Sequence, residues 1–132
     1  MSKIIQMKSD SGENLFPITA VESGSNSNGH WIKYSDGTMI QWNNTTVNDV
    51  GLTTDYGGRG IFYIGYRAFN YPQEFIENPA INCGQFRWGT GASFPMVSGT
   101  TKTYFAVYGI DLFSRASGTD ILVSWQAIGR WK

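Results

Sequence analysis

The chain has 132 residues, a length that suits one domain with a core of its own. Hydrophobic residues make up 41% and aromatics 15%, which excludes a disordered chain, while charged residues are only 15%. Ten Lys and Arg balance ten Asp and Glu, so nothing in the charge favours nucleic acid or an anionic membrane surface.

In chain order, "KIIQMK" alternates briefly and gives way to "SDSGENLFPITAV", where Ser and Gly mark a turn and Phe16-Pro17 an extended backbone. The N-terminus lacks the apolar core of a signal peptide, and no apolar run approaches membrane-spanning length, so synthesis in a cytosol without Sec-type export and no membrane insertion are expected. Residues 22–29, "ESGSNSNG", are small and polar and read as a linker. This divides the chain into an N-terminal arm (1–21), the linker (22–29) and a body (30–132). The arm alone is too short to make a core.

The body carries strand signals and no convincing helix. "HWIKY" and "TMIQW" flank Ser35-Asp36-Gly37, "IFYIGYRAF" covers 61–69, and "AINCGQFRW" covers 80–88 after Asn78-Pro79. "KTYFAVYGIDLF" (102–113) and "ILVSWQAIGRW" (121–131) read as a last hairpin joined across "SGTD". "DYGGRG", "GTGAS" and "SGTT" read as glycine-rich connections. Strands at this spacing indicate an all-β, antiparallel sandwich or barrel.

The first hairpin permits a register test. A two-residue Asp-Gly loop would mix apolar and polar groups on both faces. A three-residue Ser-Asp-Gly loop pairs Ile32 with Ile40 and Trp31 with Gln41, and sorts the faces. One face is then His30, Ile32, Tyr34, Thr38, Ile40 and Trp42, and the other Trp31, Lys33, Met39 and Gln41. The second register is expected, with Gly37 left-handed in a bulge and the apolar face packed inward. Trp31, on the mixed face, is the ring left to meet another chain.

Catalytic and metal patterns are absent. His30 is the only histidine and Cys83 the only cysteine, so no zinc ligand set, intrachain disulfide or Ser-His-Asp arrangement is indicated. Cys83 reads as a small buried apolar residue. Glu74 and Glu77 form the closest carboxylate pair, but their turn-rich surroundings favour solvated charges over glycoside hydrolysis. No cofactor motif occurs.

The remaining signal is twenty aromatic residues in a small β domain. Core packing accounts for most. Three lie in expected loops beside polar groups: Tyr56 near Arg59, Trp88 beside Arg87, and Tyr71 beside Asn70. A pyranose needs both kinds of group, a ring for its C–H face and hydrogen-bonding side chains for its hydroxyls.

Several motifs together resemble the C-terminal tip domain of bacteriophage tail-fibre and receptor-binding proteins. "GHWIKYSDGTMIQW" is similar to that family's opening hairpin, G-x-W-x-K-x-x-D-G-T-x-x-x-W. Tyr71, Pro72, Phe75, Asn78 and Pro79 match its next element, and "VSWQAIGRWK" looks like its terminal W-x-A-I-G strand. "KSDSGENLFPIT" is similar to the arm of tail appendages in phages of Gram-positive hosts. The likeness spans most of the chain, with gaps at 43–60 and 89–103.

The resemblance implies an H-type-lectin-like β-sandwich, usually a homotrimer, in the virion and assembled in the host bacterial cytoplasm. It implies recognition of a host surface saccharide or cell-wall polysaccharide, without catalysis or cofactor. It also gives the arm (1–21) a role in docking on other tail proteins or pairing around a trimer axis. The alternatives are a structural tip or adaptor that binds no sugar, and a polysaccharide depolymerase. Such lectins bind sugar near loops at protomer boundaries, through acidic, Arg and aromatic side chains. No alignable copy of those positions exists here, so the expected carbohydrate contacts are Asp55, Tyr56, Arg59, Arg87 and Trp88 in the two divergent loops.

Overall fold

The structure, a computed structural model, describes residues 7–8, 14–15, 17–48, 51–55, 57–86, 93–114 and 120–132. These residues form antiparallel strands and no helix. In the arm, β1 (Met7–Lys8) pairs with β2 (Asn14–Leu15). The body is a sandwich of two antiparallel sheets. Five strands make the larger sheet, in the order β3 (Ala20–Asn26), β4 (Gly29–Tyr34), β5 (Thr38–Val47), β11 (Ile121–Arg130) and β8 (Ala80–Phe86). The smaller sheet is ordered β6 (Thr54–Asp55), β7 (Phe62–Asn70), β10 (Tyr104–Asp111) and β9 (Ser93–Thr100).

Strand β11 shows why these residues make strands. Ile121, Val123, Trp125 and Ala127 are buried, while Ser124, Gln126 and Ile128 between them are exposed, the two-residue period of a half-buried strand. Trp125 and Ala127 of the inward set meet Phe105 and Val107 from β10, with Met39, Tyr71 and Phe75, in one core cluster. Its rings stack edge to face or in parallel: Phe105 lies 5.3 Å from both Phe69 and Trp125, and Tyr71 lies 5.1 Å from Phe75. A second cluster of Leu52, Ile121 and Val123 closes one end.

The first hairpin has the expected register. His30 pairs with Trp42, Trp31 with Gln41, Ile32 with Ile40 and Lys33 with Met39. Gly37 sits at φ +96° and its N–H donates to the Tyr34 carbonyl. The C-terminus grips this turn. Arg130 donates to the Asp36 carbonyl at 2.7 Å, the Trp131 N–H to the Gly37 carbonyl, and the Trp131 indole to the Tyr34 carbonyl.

The facing of that hairpin is the reverse of the expected one. Met39 and Gln41 are fully buried, whereas Trp42 is 37% exposed and His30 is exposed. The inward choice is set by residues 71–79, which cross from one sheet to the other. Gln73 exchanges two bonds with buried Gln41: the Gln41 amide donates to the Gln73 carbonyl at 2.7 Å, and the Gln73 N–H donates to Gln41 Oε1 at 2.9 Å. Phe75 packs beside them so closely that a Cβ on Gly129 would lie 2.8 Å from its ring.

Other expectations also change. Residues 20–26, most of the expected linker, form edge strand β3, whose bonds come from the backbone and need no apolar side chain. The Asn26 amide anchors it to the Pro72 carbonyl at 3.1 Å. Strands β10 and β11 do not form a hairpin, because β11 inserts between β5 and β8 in the opposite sheet, where its apolar alternation is buried. "GTGAS" (89–93) and "SGTT" (98–101) read as connections, but Ser93–Thr100 is edge strand β9, where Pro95 is tolerated.

Candidate functional site

Of the five expected sugar contacts, the described residues include Asp55 and Arg59. Tyr56, Arg87 and Trp88 lie outside the described residues. Asp55 ends β6, and its Oδ1 accepts the backbone N–H groups of Arg59 at 3.0 Å and Gly60 at 3.1 Å. The carboxylate thus closes its own glycine-rich turn, and both side chains are exposed at its rim. Tyr71, expected in a loop beside Asn70, is 5% exposed in the core. Its hydroxyl has no hydrogen-bond partner among the described residues, and burial pushes its pKa up. Trp31 is half-buried; its indole donates to Glu22, which also pairs with Lys33 at 3.2 Å.

Glu74 and Glu77 are exposed, as expected of solvated charges. Cys83 is half-buried against the core, where burial pushes its thiol up to about 11, away from thiolate chemistry at neutral pH. Among the described residues, no group of three or more His, Cys, Asp or Glu is placed to hold a metal ion.

The outer face of the five-stranded sheet carries a surface that sequence reasoning missed. Register places its side chains in rows across the strands. One row is apolar: Ile32, Ile40, Ile128 and Ala80. The next row is His30, Trp42, Gln126 and Asn82, and the one after it Asn44, Ser124 and Gly84. The His30 and Trp42 rings stack with centroids 5.4 Å apart and planes 17° from parallel. The Ser124 hydroxyl donates to the Asn44 amide oxygen. Two shallow depressions meet at Ser124. One, of about 440 Å³, is lined by His30, Trp42, Asn43 and Asn44; the other, of about 370 Å³, by Asn82, Gly84 and Gln126. The sequence signal was present in Trp42 and its amide neighbours, but the inward assignment of Trp42 hid it.

This sandwich is a fold shared with pyocin tail fibres. The N-truncated R1-type pyocin tail fibre matches over 86% of this chain and 85% of that one, with 21% identity and a TM-score of 0.58. A longer C-terminal portion of the P. aeruginosa R1 pyocin fibre matches over 83% of this chain and 28% of that one, with 19% identity and a TM-score of 0.58. The corresponding portion of the R2 fibre of P. aeruginosa gives 86%, 26%, 23% and 0.51. The chain therefore spans about a quarter of those longer fibre portions. No protein-family profile and no curated protein matches it in sequence.

Proposed function

We propose that this chain is a receptor-binding domain of a phage or phage-like tail fibre, which attaches the particle to a host surface glycan or cell-wall polysaccharide without catalysis. The supporting observation is the tail-fibre fold, shared over 86% of the chain. The aromatic and amide groups on its surface are those that hydroxyl-rich ligands require. Three copies would multiply weak sugar contacts through avidity, and the arm, with its β1–β2 pairing, would dock on other tail proteins or neighbouring copies. The lectin-like reading places sugar contacts in the loops of Asp55, Tyr56, Arg59, Arg87 and Trp88. The resemblance of "KSDSGENLFPIT" to tail-appendage arms of phages of Gram-positive hosts would make the host Gram-positive.

Adsorption of the labelled protein to bacterial cells, competed by polysaccharide released from those cells, tests this reading. Saturable, competed adsorption is expected, with trimeric mass by light scattering. Polysaccharide shortened by incubation with the protein would mean a depolymerase, and absence of adsorption across a broad panel of cells would leave only a structural tip. Arg59→Ala probes the loop more cleanly than a change at Asp55, because Asp55 also holds the turn. Undiminished adsorption of Arg59→Ala, Arg87→Ala and Trp88→Ala would remove the loop assignment.

A further inference from the structure

We infer that the trough across the outer face of the five-stranded sheet, from the His30–Trp42 stack to Asn82 and Gly84, binds a neutral, linear stretch of saccharide. The inference rests on the receptor-binding reading and adds to it a place and a class of sugar, separate from the Asp55–Arg59 loop.

Four observations carry it. First, Trp42 is 37% exposed yet held nearly parallel to His30 at 5.4 Å. A ring already fixed by stacking loses little rotamer freedom when a ligand lands on it, and its flat face suits the C–H side of a pyranose. Second, the groups around it are the amides of Asn44, Gln126 and Asn82 and the hydroxyl of Ser124. Amides and hydroxyls both donate and accept, as a sugar hydroxyl does. The bond from Ser124 to Asn44 fixes one amide in advance.

Third, no Asp, Glu, Lys or Arg lines either depression among the described residues. Recognition of phosphate or uronate would call for Arg or Lys, as paired, charge-assisted donors. The charged groups of the neighbouring strands lie elsewhere: Arg130 at the Asp36 turn, Glu22 and Lys33 on the opposite face. Fourth, the floor opens toward β8, where a Cβ added to Gly84 would meet nothing within 4 Å. From β4 to β8 the trough crosses three strand spacings, about 14 Å, enough for two or three linked rings lying across the strands. The adjacent row of Ile32, Ile40 and Ile128 is what a protein partner would cover; the amide row suits a polyol.

The test compares the intact protein with Trp42→Ala, Asn82→Ala and Asn44→Asp, in cell adsorption and in calorimetry. The calorimetric probes are neutral glucose-, galactose- and N-acetylglucosamine-containing oligosaccharides, with uronate and phosphodiester polymers of similar length. Neutral probes are expected to bind, with affinity falling about tenfold or more in Trp42→Ala and several-fold in the other two, at unchanged elution volume. Tighter binding of the anionic probes would overturn the inference. So would a change of elution volume in Trp42→Ala, which would make the face a contact between copies. Cell adsorption equal in wild type and all three variants would sink the trough while leaving the receptor-binding reading standing. Wild-type protein that adsorbs to no cells would sink both.

Discussion

The two faces of β5 differ in a way that composition alone misjudges. Met39 and Gln41 point inward and are fully buried, while Ile40 and Trp42 point out. By hydropathy, the outward pair is the more apolar. The inward pair wins because each buried polar atom of Gln41 has a matching backbone group on Gln73, so the cost of taking an amide from water is offset. The outward pair is left on a surface where apolar and hydrogen-bonding rows lie side by side. A face is buried when its polar groups have partners there.

The largest effect that would break this comparison is a pair of tryptophan truncations. Trp125 is 4% exposed and packs on Phe105 and Tyr71, whereas Trp42 is 37% exposed. Trp125→Ala is expected to cost about 3–5 kcal/mol, and Trp42→Ala about 1 kcal/mol or less. Urea unfolding of both variants measures the difference. Equal losses would mean that the outer face is buried in solution.

Gln41→Leu tests the inward face directly. It keeps the volume roughly constant and removes both bonds to Gln73, leaving the N–H and carbonyl of that half-buried residue without these partners. A loss of about 2–4 kcal/mol is expected, with faster hydrogen exchange at the Gln73 amide. A neutral or stabilising result would show that the face is held by apolar packing alone.

Much of the fold was legible because local rules decided it. The Ser-Asp-Gly turn set the register of β4 and β5 to the residue, since only that pairing sorts side chains between faces and Gly37 can adopt the conformation required. That rule says which residues share a face, and not which face is covered. The cover comes from Gln73 and Phe75, about thirty residues downstream, and is invisible to a local pattern. The same limit explains β3 and β9. Both are edge strands whose pairing is carried by backbone groups, so "ESGSN" and "SFPMVSGT" lack the apolar alternation that marks β11. The swap of β10 and β11 into different sheets is likewise a long-range outcome, fixed by β5 and β8 on either side of β11. At the candidate site, Asp55 was legible as an acceptor, but it accepts two N–H groups of its own loop.

The smallest expected effect lies at the turn that sets this register. Asp36 accepts the Thr38 N–H at 2.9 Å and the Thr38 hydroxyl at 3.0 Å. These bonds, with the nearby Arg130 guanidinium, hold its carboxyl below the ordinary 3.8. A carboxyl whose folded pKa is depressed contributes stability that is fully present above its unfolded value and is lost as pH falls through the folded one. Asp36→Ala should therefore lower the unfolding midpoint slightly and by a constant amount from neutral pH down to about pH 5. Below the 3.8 of the unfolded carboxyl the gap should close, as wild-type Asp36 takes up its proton. A gap that stays constant down to pH 2 would mean that the turn is held by Gly37 and the C-terminal grip of Arg130 and Trp131, with no contribution from the Asp36 charge.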